Sequence, residues 1–184
     1  MKKILLGVFI SVFIISCADK AEENTATATT TAATDDTKKG GDEVLPMSET
    51  DAIKKSLTAF SNGDMDGMTA DYADTCFMLW SNLDSIRGKQ AIKDYYVGRW
   101  KLIDSINYSE HILVPLKVNL QQSQYAPTGK WIFAWSLAHV KYKNGKKLNL
   151  WVHNVYHYND AGKIAFVGQF LDRQPIMAAT KGMK

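Results

Sequence analysis

Asn144-Gly145 stands between two runs that alternate apolar and polar residues, "KWIFAWSLAHVKY" (130–142) and "KLNLWVHNVYHY" (147–158). Asn-Gly is the strongest short hairpin signal, because both residues tolerate the positive φ that a two-residue turn requires. The pair commits residues 130–158 to two antiparallel strands and decides which side chains share a face. With Asn144 and Gly145 as the two loop residues, Lys143 opposes Lys146, and Phe133, Trp135, Leu137 and His139 oppose Tyr156, Asn154, Val152 and Leu150. That face, with Trp131 and Leu148, is the more apolar and is expected to lie under helices. Ala134, Ser136, Ala138, Asn149, Trp151, His153, Val155 and His157 are expected on the other face. An even-length loop through "NDAG" brings Val167, Gln169 and Leu171 of "KIAFVGQFLD" onto the first face. The expectation is an apolar wall carrying Asn154, Gln169 and His139. His153 and His157 share the opposite face, but four residues of strand separate them by roughly 13 Å, too far for one metal ion. No metal site is expected.

Upstream the period changes. Ser48 with Asp51 resembles a capping box opening a helix with Ile53, Leu57 and Phe60 on one face, stopped by Asn62-Gly63. A short second helix at "DMDGMTADY", a strand at "CFMLWSN" and a third helix over "GKQAIKDYYVGRWKLI" follow, the last with Ile92, Tyr96, Trp100 and Ile103 on one stripe. "NYSEHILVPLKVNL" alternates at strand period. Helices first and strands afterward indicate an α+β fold.

The 184-residue chain begins with a basic "MKK", then "ILLGVFISVFIIS" and Cys17. Thirteen apolar residues fall short of the ~20 that span a bilayer and read as a secretory signal. "IISC" resembles the lipobox of bacterial lipoproteins, so residues 1–16 are expected to be removed and Cys17 to carry acyl chains of the palmitate type. The implied location is the bacterial cell envelope, anchored by lipid to a membrane. Residues 17–44 hold no large apolar residue except Val44 and are expected to be a disordered tether. The folded domain is expected over 45–176, with a tail at 177–184. Cys76, in "CFMLW", reads as a buried structural thiol. From Leu45 onward 17 Lys and Arg face 12 Asp and Glu, an excess too scattered for nucleic acid.

The phrases Gly63-Asp64, Tyr72-Ala73-Asp74, Gly88 with Ala91-Ile92 and Tyr95-Tyr96, and Gly162-Lys163-Ile164 come in an order that resembles the nuclear transport factor 2-like superfamily, closest to its SnoaL-like and ketosteroid isomerase branch. The resemblance covers residues 50 to 173. It implies a cone, a curved and mostly antiparallel sheet wrapped around three N-terminal helices (also called cystatin-like). It also implies an apolar pocket at the open end and a homodimer through the sheet's outer face. The isomerase's own chemistry does not carry over. Its oxyanion tyrosine falls at Ser56, its base aspartate at Trp80 and its protonated aspartate at Asn154; an acid used by other branches falls near Gln169. An amide can donate a hydrogen bond but cannot exchange a proton, and Trp80 is no base.

Three functions follow as expectations. The first is a domain binding a small apolar molecule, without a cofactor, in a pocket walled by Trp80, Trp135, Phe133 and Leu171, with Asn154 and Gln169 fixing a polar group. The second is a SnoaL-like isomerase, lyase or hydrolase using His139 or Asp74, with Glu110 and His111 as further proton-transfer candidates. The third is a protein interaction module working through the face of Trp151, His153 and His157.

Overall fold

An amphipathic stretch of eleven residues opens the helical layer: α1 (Asp51–Ser61) buries Ile53 and Phe60. A 3-10 turn over Met47–Thr50 precedes it and takes up Ser48, so the expected capping box does not form; Thr50 Oγ1 instead donates to the Met47 carbonyl at 2.7 Å. Gly63 ends the segment at φ +75°, and a Cβ there would stand 2.8 Å from Trp100 Nε1, so both backbone and space demand glycine. In α2 (Met65–Met68) the Asp64 carboxylate caps the Gly67 N–H at 2.8 Å. The third helix, α3 (Lys89–Trp100), ends before Ile103, which already belongs to a strand.

The computed structural model describes residues 41–121 and 123–183. The expected signal peptide, Cys17 and nearly all of the tether lie outside them. The strands are β1 (Glu43–Val44), β2 (Tyr72–Trp80), β3 (Ser85–Arg87), β4 (Ile103–Val118), β5 (Gly129–Tyr142), β6 (Lys147–Tyr158) and β7 (Ile164–Phe170), and a last helix, α4 (Gln174–Thr180), follows. They form one curved, unclosed sheet in the order β1-β4-β5-β6-β7-β2-β3, antiparallel except where β2 runs parallel to β7. Both expected domain edges move outward. Val44 pairs with Leu116, and Asn119 bonds Asp42 and the Gly41 carbonyl, which ties down the end of the expected tether. The expected tail is helical through Thr180, because Ala179 packs into the core.

The hairpin differs from the two-residue loop expected. The Gly145 N–H reaches the Tyr142 carbonyl and the Tyr142 N–H reaches the Lys146 carbonyl, both at 2.9 Å, with Gly145 at φ +84°. Lys143, Asn144 and Gly145 thus form a three-residue loop with a left-handed glycine, which Asn-Gly serves equally well. Pairing shifts by one residue: Trp135 opposes His153, and Ala134 opposes Asn154. Because side chains alternate, this shift turns β5 over. Ile132, Ala134, Ser136, Ala138, Val140 and Tyr142 face the helices and are all buried; Phe133, Trp135, Leu137 and His139 face outward. On β6 Asn154 points inward, and His153 and His157 point outward.

A bulge in β4 also breaks the expected alternation. Ser109 pairs with Leu137 and Ile112 with Trp135, so the strand holds one extra residue there, with Glu110 at φ +50°. Ile106 is buried before the bulge and Leu113 after it, while Ile112 is 56% exposed.

Candidate functional site: an aromatic cavity floored by an amide chain

Three neighbouring strands set the floor of the site. Asn154 on β6 pairs with Gln169 on β7, and Gln169 pairs with Trp80 on β2, so three inward side chains stand in a row across the sheet. The Trp80 indole donates to Gln169 Oε1 at 2.9 Å, and Gln169 Nε2 donates to Asn154 Oδ1 at 3.1 Å and to the Tyr96 hydroxyl at 3.4 Å. Both ends of the Gln169 amide are therefore used within the protein. Asn154 is the buried amide of the row, and leaving such a group unpaired costs roughly 1–3 kcal/mol.

Above this row lies a cavity of about 120 Å³. Trp80, Gln169 and Leu171 line one side, α3 supplies Tyr95, Tyr96 and Arg99, and the inward face of β4 and β5 supplies Ile106, Tyr108, Val140 and Tyr142. Ile176 and Met177 of α4 complete the wall. The Trp80 and Tyr95 rings lie 5.0 Å apart, Tyr95 and Tyr96 5.2 Å, and Phe60 and Tyr96 5.4 Å at near-perpendicular angle, a rigid aromatic lining. α4 is held at both ends. Arg173 pairs with Asp84 at 3.0 Å, and the hairpin tip reaches over, Asn144 Nδ2 donating to the Ala179 carbonyl at 2.8 Å and Lys146 Nζ to that of Ala178 at 3.0 Å.

The electrostatics leave the hydroxyls neutral. Burial pushes Tyr96 and Tyr108 well above the ordinary tyrosine value, and burial raises Tyr142 against the opposing pull of the Arg99 charge. Such groups donate hydrogen bonds and do not act as bases. Among the described residues that line the cavity there is no carboxylate, histidine or cysteine.

The other expected site residues are dispersed. Trp135 and Phe133 are not in the cavity, because the turned β5 puts them outside: Trp135 stacks on His153 at 4.3 Å and 5°, and Phe133 stacks near Trp131. Asn154 lies behind Gln169 and does not itself line the space. His139 is also outside, between Asn149 Oδ1 at 3.1 Å from its Nδ1 and Ser109 Oγ at 2.9 Å from its Nε2. Asp74 is exposed near the start of β2, and Glu110 is exposed at the bulge. His111 Nδ1 lies 2.9 Å from Ser136 Oγ. Ser56 donates to the Met68 carbonyl at 2.7 Å. Among the described residues no group of three His, Cys, Asp or Glu is placed to hold an ion. Cys76 is fully buried, and burial pushes its thiol up to about 12.

Cavity residues that the sequence did not assign to the pocket include Tyr95, Arg99, Tyr108, Tyr142 and the α4 pair. Tyr95 and Arg99 are four apart on α3, a spacing that puts them on one face, so helical periodicity carried the signal. The α4 contribution had no local signal.

No family model and no curated protein matches the sequence. Solved structures do match. A protein proposed to be a polyketide cyclase, from Xanthomonas campestris pv. campestris, superposes with a TM-score of 0.57 at 16% identity, covering 72% of this chain and 96% of its own. A proposed isomerase from Bacillus subtilis gives 0.58 at 15%, covering 73% and 93%. A nuclear transport factor 2-like protein of unknown function from Burkholderia pseudomallei gives 0.56 at 14%, covering 73% and 98%.

Proposed function

The chain has the nuclear transport factor 2-like fold, and from that premise we propose that it is a binding domain for a small apolar molecule, held in the cavity over Trp80 and Gln169. The observation that carries this reading is the lining: among the described residues it consists of aromatic rings, tyrosine hydroxyls, a spent amide, aliphatic side chains and two arginines, with no carboxylate, histidine or cysteine to take a proton. A cavity of about 120 Å³ suits one six-membered ring, since an engineered apolar cavity of ~150 Å³ takes benzene. Mass spectrometry of small molecules retained by the purified protein, with fluorescence titration of Trp80 by single-ring compounds, tests it. Absence of any retained molecule and of any saturable quenching would count against it.

The same proposal places the domain in the bacterial envelope, carried on Cys17 as a lipid anchor after loss of residues 1–16, and paired with a second copy through the sheet's outer face. Support for the anchor is the lipobox-like "IISC"; Cys17→Ser should release the protein from membranes to the soluble fraction. Support for pairing is the aromatic outer face, on which Trp151 is 49% and Phe170 45% exposed.

A second reading, a hydrolase, is favoured by one observation, the Ser109–His139–Asn149 chain on the outer face. With His139 Nδ1–H donating to Asn149, Nε2 is left to accept the Ser109 proton, the order of groups in an activated serine. Labelling by a fluorophosphonate, lost in both Ser109→Ala and His139→Ala, would favour it; an unlabelled parent would end it.

A further inference from the structure

Deepening the binding reading, on which it rests, we propose that the cavity's ligand is an amphipathic anion, a single ring or short chain bearing one carboxylate, with that carboxylate seated on Arg99. Among the described residues two cations line the cavity, and they differ. Arg173 is occupied: its guanidinium pairs with Asp84 at 3.0 Å and lies 3.5 Å from Asn82 Oδ1. Arg99 is half-buried in the last turn of α3, and among the described residues no hydrogen bond or ion pair satisfies it. The helix end favours a positive charge but offers no acceptor at the far end of so long a side chain. A guanidinium carries five N–H donors, and withdrawing it from water without a partner is unfavourable.

The surroundings point to the missing partner. Among the described residues that line the cavity there is no carboxylate to pair with Arg99. Arg99 lines the cavity together with the nearly fully buried Tyr142, and its charge opposes the rise that burial causes in that hydroxyl. The Gln169 amide is engaged at both ends, by Trp80, Asn154 and the Tyr96 hydroxyl, and Asn154 does not line the cavity, so neither competes for the ligand's polar end. A planar fork of donors fits a carboxylate through two parallel hydrogen bonds, and the apolar remainder fits against Phe60, Tyr95 and Val140.

The test compares 3-phenylpropionate with its neutral isostere 3-phenylpropionamide, by calorimetry and tryptophan fluorescence at low salt and pH 7.5. The parent should bind the acid at least tenfold more tightly than the amide. Arg99→Gln should remove that preference and leave the amide's affinity intact, which also shows that the variant is folded. Arg99→Lys should keep part of the preference, and Lys101→Gln, an exposed neighbour, should keep all of it. Equal binding of acid and amide by the parent, or loss of the preference in Lys101→Gln as much as in Arg99→Gln, would overturn the role of Arg99 while the binding reading stands. If neither compound binds the parent, both readings fall.

Discussion

Asn154 is a buried polar residue whose role is decided by its neighbours. Its Oδ1 takes one Gln169 proton at 3.1 Å, and Gln169 holds Trp80 in place, so the amide chain orients the cavity's floor. Asn154→Leu removes that acceptor and leaves Gln169 Nε2 only the Tyr96 hydroxyl at 3.4 Å. We expect a loss of about 1–3 kcal/mol in urea denaturation, and an unchanged midpoint would contradict the closed chain. His153 is the converse case. Its ring stacks on Trp135, its Nε2 is buried without a hydrogen-bond partner, and burial lowers its pKa from the ordinary histidine value. The unfolded chain therefore binds this proton more readily, so stability falls as pH drops below about 6.5, the unfolded value. His153→Phe keeps the stacking and removes the proton site. Thermal midpoints between pH 7.5 and 5 should decline less steeply in the variant than in the parent; parallel declines would refute the assignment.

The β5–β6 hairpin is the element on which the site turns. Its loop places Gly145 at φ +84° with open space around the position of a Cβ. Gly145→Ala therefore tests backbone conformation alone, and about 1–2 kcal/mol should be lost in the same denaturation experiment. Gly145→Asn should lose less, because asparagine enters the left-handed region more readily. Equal stability of all three would mean the loop takes another form. The hairpin tip also has a second role that its charge pattern conceals. Asn144 and Lys146 hold the carbonyl end of α4, whose Ile176 and Met177 close one wall of the cavity. The basic "KYKNGKK" cluster is thus partly a clasp for a helix that comes some thirty residues later in the chain.

At the scale of the molecule, the curved sheet separates two surfaces: a concave one given to helices and the cavity, and a convex one rich in Trp131, Phe133, Trp135, Trp151 and Phe170. If the convex face pairs two copies, Trp151→Glu should shift sedimentation from dimer to monomer at micromolar concentration while leaving probe binding in the cavity unchanged. A monomeric parent would argue against pairing. The α+β class, three N-terminal helices, the meander, the buried Cys76 and the inward turn of Asn154 and Gln169 were all legible in the sequence, because helical and strand periods are local and β6 and β7 carry them cleanly. The face of β5 was not. Both its faces are apolar, Phe133, Trp135 and Leu137 against Ile132, Ala134 and Val140, so hydrophobic pattern could not choose between them, and Asn-Gly suits loops of two or three residues. Tertiary packing decided it: the small Ala134, Ser136 and Ala138 are buried beneath the helices, and Trp135 stacks on His153 outside. The bulge at Glu110 and the closure by α4 were likewise settled by tertiary structure, because each answers to residues remote in the chain.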